Sequence, residues 1–109
     1  IHLAISSDIL PIGPMVGLYA AVTRKGMSGR IFAEDEAISM MEALQAYTLF
    51  GAYLSFEEGT KGSIEPGKLA DFIVLDQDLL TVDPEKIMNT KVLQTWLGGR
   101  LVYEHGGKQ

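Results

Sequence analysis

The chain has no cysteine and two histidines, so any acid–base or metal chemistry must fall on carboxylates with little help from imidazole and none from thiolate. Asp8 is the first candidate. It closes Ile1-His2-Leu3-Ala4-Ile5-Ser6-Ser7, where Ile1, Leu3 and Ile5 alternate with His2, Ala4 and Ser6. That period of two predicts a short buried strand. A carboxylate at the carboxyl end of a strand can take a proton from water or bind a cation. On spacing alone the same residue reads better as a turn former or helix cap ahead of Pro11. His2 has the parity of Asp8, but six residues of extended chain separate the two by roughly 20 Å, too far to share one metal. His2 therefore reads as structural, and His105, beside Gly106-Gly107, as a solvated residue of the tail.

The remaining candidates have plainer readings. Asp71 and Asp76 bracket the apolar run Phe72-Ile73-Val74-Leu75. With no histidine adjacent they read as strand-boundary residues rather than a catalytic pair. Gly62, Gly67, Gly98 and Gly99 open no helix at the spacing a phosphate cradle needs, so they are turn residues. Met15, Met27, Met40 and Met41 suit packing gaps better than a soft metal. Trp96, with Leu93, Leu101 and Tyr103, is expected in a core or against another chain.

Several elements must position these residues. Pro11, Gly13 and Pro14 force a loop, after which Met15, Leu18, Tyr19 and Val22 recur at helical spacing. Arg24-Lys25 should occupy that helix's last turn, where its dipole favours cations, and Gly26 should end it. Ser39 and Glu42 form a capping box that starts a helix running to Tyr47. Thr48 is placed to cap a second helix, Leu49 to about Phe56, in which Gly51 and Ala52 permit close packing. Glu65-Pro66-Gly67-Lys68 is a type II turn, and Phe72 to Leu75 a buried strand. Asp83-Pro84-Glu85 opens a short helix to about Met88. Val92 to Leu97 and Arg100 to Glu104 flank Gly98-Gly99 as a hairpin. The switch from helix to strand texture near Gly59 divides the chain into 1–58 and 59–109.

Composition bounds the function. With 109 residues, 47% hydrophobic and 21% charged, a single core without staples is feasible. Nine Lys plus Arg against 14 Asp plus Glu give a charge of −5, which repels phosphate and argues against nucleic acid as a partner. The weakly charged stretch from Ile9 to Thr23 carries Pro11, Gly13, Pro14 and Gly17 and is shorter than the roughly 20 residues of a membrane helix. No membrane partner is expected, and with no signal-like opening the expected compartment is the cytoplasm. The first residue is not Met, and the sequence enters an apolar run without lead-in. This predicts a piece of a longer protein.

The run Gly62-Ser63-Ile64-Glu65-Pro66-Gly67-Lys68-Leu69-Ala70-Asp71-Phe72-Ile73-Val74-Leu75-Asp76 closely resembles the segment by which metal-dependent amidohydrolases return from their barrel to a flanking β-sandwich. Glu42 to Thr48 is similar to the helix before it, and Val92 to Tyr103 to the closing hairpin. Ser7-Asp8, Pro11 and Ala20-Ala21-Val22-Thr23-Arg24 resemble the end of the eighth barrel strand and the next helix. The nearest branch is amidohydrolase family 3, with its N-substituted formamide deformylase-like and exoenzyme-regulatory-like proteins.

The resemblance implies an α+β chain: the last strand and helices of a (β/α)8 barrel in 1–58, then a small sheet and closing hairpin of the composite sandwich in 59–109. It implies hydrolysis of a carbon–nitrogen bond, in a non-peptide or cyclic amide of a small-molecule substrate, by water activated on a divalent metal, zinc. It assigns Asp8 as metal ligand and as the group that moves the proton to the leaving nitrogen. The family's His-x-His pair, bridging lysine and later histidines belong to strands before Ile1. The isolated chain is therefore expected to hold no catalytic metal tightly and to be inactive. A non-catalytic structural or self-association module is the alternative. A homo-oligomer is expected, in which the helix face of Met15, Leu18 and Val22 and the strands of the closing hairpin find partners in another copy; the alternative is a monomer whose N-terminal strand folds back onto its own C-terminal sheet.

Overall fold

A computed structural model describes residues 1–8 and 13–107. The first helix, α1 (Pro14–Thr23), starts on a proline, which suits a first-turn position because its missing N–H has no partner there anyway. It ends one residue before the cations. Arg24 takes a left-handed conformation (φ 56°) and its N–H returns to Ala20 O at 2.8 Å. Arg24 and Lys25 thus lie beyond the last turn that the sequence assigned to them, because Arg24 itself caps the helix. Arg24 reaches Glu36 (3.7 Å) in a 3-10 turn, Glu34–Glu36, and Lys25 pairs with Glu85.

The second helix, α2 (Met40–Tyr47), begins on the expected capping box. The Glu42 N–H donates to Ser39 Oγ at 3.2 Å, and Glu42 Oε2 accepts from the Ser39 N–H at 2.8 Å. Helix α3 (Leu49–Leu54) follows after Thr48. The Thr48 hydroxyl does not cap α3. With a single residue between the helices it bonds back to Leu44 O at 2.7 Å, a local alternative open to threonine. Close packing on α3 comes from Ala52, not Gly51: a Cβ on Gly51 would meet nothing within 4 Å, whereas one on Gly62 would lie 2.8 Å from Ala52 Cβ and 3.0 Å from Leu49 Cα. Gly17 lets α1 approach α2 in the same way, beneath the Tyr47 ring.

The Glu65-Pro66-Gly67-Lys68 turn forms as expected, with Gly67 at φ 92° and the Lys68 N–H on Glu65 O at 3.1 Å. It feeds β1 (Phe72–Leu75), which pairs antiparallel with β2 (Val92–Leu97), and β2 pairs with β3 (Arg100–Glu104) around Gly98-Gly99. A 3-10 turn, Pro84–Asn89, capped by Asp83, precedes β2. The sheet has three strands in the order β1-β2-β3. β1 is not the buried strand its apolar run suggests: Ile73 is 48% and Val74 37% exposed. Those neighbours face opposite sides, so neither face of this strand is fully covered.

Residues 1–8 form no strand. A strand exists only through its ladder, and among the described residues this segment makes one such bond, from the Ile5 N–H to Ala46 O at 3.1 Å. The expected loop at Pro11 lies outside the described residues. No helix described is long and apolar enough to cross a membrane.

The core is small and is drawn from both sides of Gly59. Leu18 of α1, Ala43 of α2, Leu79 and Ile87 are buried together, with Tyr19, Val22, Leu44, Tyr47 and Leu75 packed around them. Ile87 is 1% exposed. At the rim Tyr19 Oη donates to Glu85 Oε2 (3.1 Å), which helps Lys25 to tie the 3-10 turn to α1.

Two predictions follow from this packing. Gly62→Ala, with its methyl against backbone and at φ 95°, should lower stability by roughly 1–3 kcal/mol; Gly51→Ala, on an open helical surface, should raise it by up to about 1 kcal/mol. Urea denaturation followed by Trp96 fluorescence checks both. The Glu85 carboxyl lies below its ordinary range through its hydrogen bonds from Lys25 and then Tyr19, and the Lys25 ammonium lies above its own through Glu85. The depressed carboxylate contributes stability above its unfolded range and loses it as pH falls through the folded value, while the raised lysine loses its share only at alkaline pH. Glu85→Gln should therefore flatten part of the acid limb of a stability–pH profile, and a superimposable limb would refute the coupling.

Candidate functional site

Asp8 is exposed, in a segment, residues 1–8, of which Ala4 and Ile5 are half-buried. The segment rests on the α2–α3 pair through Ile5 and through His2, whose ring stacks on Phe50 (centroids 4.5 Å, planes 7° apart) and meets Tyr53 edge-on (4.5 Å, 82°). His2 is thus an aromatic packing residue, as its distance from Asp8 argues. Among the described residues no three His, Cys, Asp or Glu side chains are grouped so as to hold a metal ion. An open catalytic site needs three protein ligands. The described residues do not fit a resident divalent metal by themselves.

The other carboxylates hold turns. Asp71 Oδ1 accepts from the Gly98 N–H at 2.7 Å, which fixes the hairpin turn to the start of β1. Asp76 Oδ1 accepts from the Lys91 N–H at 2.8 Å at the strand's other end. Their reading as boundary residues stands, and each has a backbone donor as its physical reason. The His105 ring is exposed, 3.5 Å from Tyr103 Oη, but the backbone N–H of His105 donates to Leu93 O at 2.8 Å. The chain there continues the hairpin instead of fraying.

A groove of about 910 Å³ runs between the α2–α3 pair and the sheet, with Leu49, Ala52, Ile64, Phe72 and Trp96 among its walls. Phe72 and Trp96 stack across β1 and β2 (5.7 Å, 12°), and the indole N–H donates to Gln94 Oε1 at 3.1 Å. Ser63 also lines it. Its hydroxyl accepts from Lys68 Nζ at 2.7 Å and donates to Glu65, while Lys68 pairs with Glu65 at 2.9 Å. Ser63 first and Lys68 second hold the Glu65 carboxyl below its ordinary range. An ammonium already engaged by a carboxylate is no base for a serine, so this trio clasps the type II turn and supplies no nucleophile. Sequence reasoning assigned Gly62 to a turn and missed that it brings this segment against α3; nothing local in the sequence marks that contact.

The pattern of the amidohydrolase family matches residues 1–103. A Bacillus subtilis protein named as an amidohydrolase, YtcJ, is 33% identical over 101 residues, covering 90% of this chain and 19% of that protein. The N-substituted formamide deformylase of Arthrobacter pascens is 38% identical over 90 residues, covering 83% of this chain and 17% of that enzyme. The chain therefore spans less than a fifth of the length of these curated relatives. A crystal structure of an amidohydrolase from Thermotoga maritima shares the fold over 84% of this chain and 19% of its own, with a TM-score of 0.55 and 24% identity.

With one carboxylate at the candidate position, the purified chain should retain no stoichiometric zinc after dialysis, since a lone oxygen ligand cannot hold it. Elemental analysis decides: one zinc per chain would overturn this reading.

Proposed function

The chain belongs to the amidohydrolase family, and from that premise we propose that it works as the C-terminal part of a hydrolase acting on carbon–nitrogen bonds and is inactive alone. The observation that carries this is the family match from residue 1 to 103, which contains Asp8 and yet spans less than a fifth of the relatives' length. Helix α1 and the α2–α3 pair would back the reacting centre, and the sheet would form part of a flanking layer.

In this reading Asp8 is the catalytic and metal-side carboxylate that the chain contributes. An exposed carboxylate can accept a proton from attacking water and return it to the leaving nitrogen, two transfers in succession that one group can serve. The divalent metal, zinc in this reading, has too few ligands among the described residues and would be held by others. The substrate is a small molecule with a non-peptide or cyclic amide bond. The excess of acidic residues disfavours nucleic acid, and the setting proposed is cytoplasmic.

In a longer protein that includes these residues, Asp8→Asn should cut turnover of an N-formyl or cyclic amide at least about a hundredfold with an unchanged circular dichroism spectrum. Wild-type turnover would remove Asp8 from the mechanism.

The α1 face of Met15, Leu18 and Val22, expected against another copy, is packed in this chain's own core beside Ala43 and Ile87, so a second reading, of a self-associating module, draws on other apolar side chains left outside. Phe56, Ile64, Leu97 and Val102 are 91, 83, 59 and 55% exposed, apolar surface that a second copy could cover. Sedimentation equilibrium at low micromolar concentration should give two or more chains. A clean mass of 11.9 kDa would exclude association.

A further inference from the structure

Beyond α1 the chain makes a short arm that the candidate site does not use. Lys25 forms a bridge with Ile31, and the Gly26 N–H donates to Arg30 O at 2.9 Å. Arg24 meets Phe32 twice: its backbone oxygen accepts from the Phe32 N–H (3.0 Å) and its Nε donates to Phe32 O (3.1 Å). These bonds hold the arm in one shape. Residues 24–30 carry three of the nine cations and no carboxylate. Arg24 and Lys25 are spent on Glu36 and Glu85, whereas Arg30 makes no ion pair among the described residues. Its guanidinium lies over the Phe32 ring, 4.8 Å from the centroid. Met27 is 92% and Phe32 47% exposed. Arginine, methionine and an aromatic ring are the types enriched where proteins meet, and an arm already ordered loses little entropy on docking.

The opposite charge stands next to it. Ala33, left-handed at φ 46°, turns the chain from the arm into the 3-10 turn of Glu34, Asp35 and Glu36. Glu34 and Asp35 are exposed and make no ion pair among the described residues. One patch therefore carries both signs. A two-fold axis lays a patch on its own copy, so that every contact occurs twice, and a patch of both signs is then its own complement. We propose that the arm and the acidic turn form an isologous contact between two copies of this chain. Arg30 of each copy faces the partner's Glu34 and Asp35, with Met27 and Phe32 covered between them. The proposal rests on the self-association reading and assigns it residues other than Phe56, Ile64, Leu97 and Val102.

Two charge-reversed chains test it: Arg30→Glu, and Glu34→Lys combined with Asp35→Lys. In sedimentation equilibrium over a micromolar concentration series, each alone should associate at least about tenfold more weakly than the unaltered chain, because like charges then face each other twice. An equimolar mixture of the two should regain the unaltered strength. In the mixed pair the reversed arm meets the reversed turn, and the native arm meets the native turn. If either variant alone associates as strongly as the unaltered chain, the arm contact is overturned and self-association is left to the other apolar residues. Two weakened variants that do not recover on mixing would refute the two-fold pairing. An unaltered chain that stays monomeric would refute the self-association reading, and the contact with it.

Discussion

The contact on which the rest depends is the meeting of Leu18, Ala43 and Ile87. Each comes from a different element, and Ile87 comes from a 3-10 turn of six residues that has little stability of its own. Burial of Ile87 on α1 holds that turn in place. The Lys25–Glu85–Tyr19 cluster at the rim sets the angle of docking. Since β2 begins three residues after the turn, its start, and through it the pairing of β1, follows from this small core.

What was legible in the sequence was local. The capping box at Ser39 and Glu42, the Pro66-Gly67 turn, the Asp83-Pro84 cap and the Gly98-Gly99 hairpin formed where they were expected, because each is fixed by two to four neighbouring residues. What was not legible depended on partners. The alternation of Ile1, Leu3 and Ile5 is a real strand pattern, but a pattern cannot supply the neighbouring strand. The apolar run of β1 suits a sheet covered on both faces, and coverage is not written in the run. Gly62 looked like any turn glycine because the clash it avoids is with Leu49 and Ala52, ten or more residues away. For Asp8, spacing marked a position and only the resemblance gave it a role.

Shifted carboxyl groups commonly mark active sites, and here they mark joints instead. Glu42 is held down by Ser39, Glu57 by Lys61 and then Ser55, Glu65 by Ser63 and then Lys68, and Glu85 by Lys25 and then Tyr19. Every one of these partners belongs to a cap, a turn or a docking contact. All four groups face solvent, so their value lies in fixing geometry more than in raw stability.

Asp8 differs in kind. It belongs to no strand among the described residues, and it lies three residues beyond the Ile5 N–H that bonds to Ala46 O. A carboxylate that must reach a reacting atom cannot also be spent on a backbone donor, as Asp71 and Asp76 are. Asp71 and Asp76 hold turns, and the carboxylate proposed to react stands on an exposed stretch outside the core. Among the described residues a small core forms, while no group of three possible metal ligands does. Packing needs only the apolar faces of neighbouring elements, whereas a hydrolytic centre needs side chains from several strands to converge on one point.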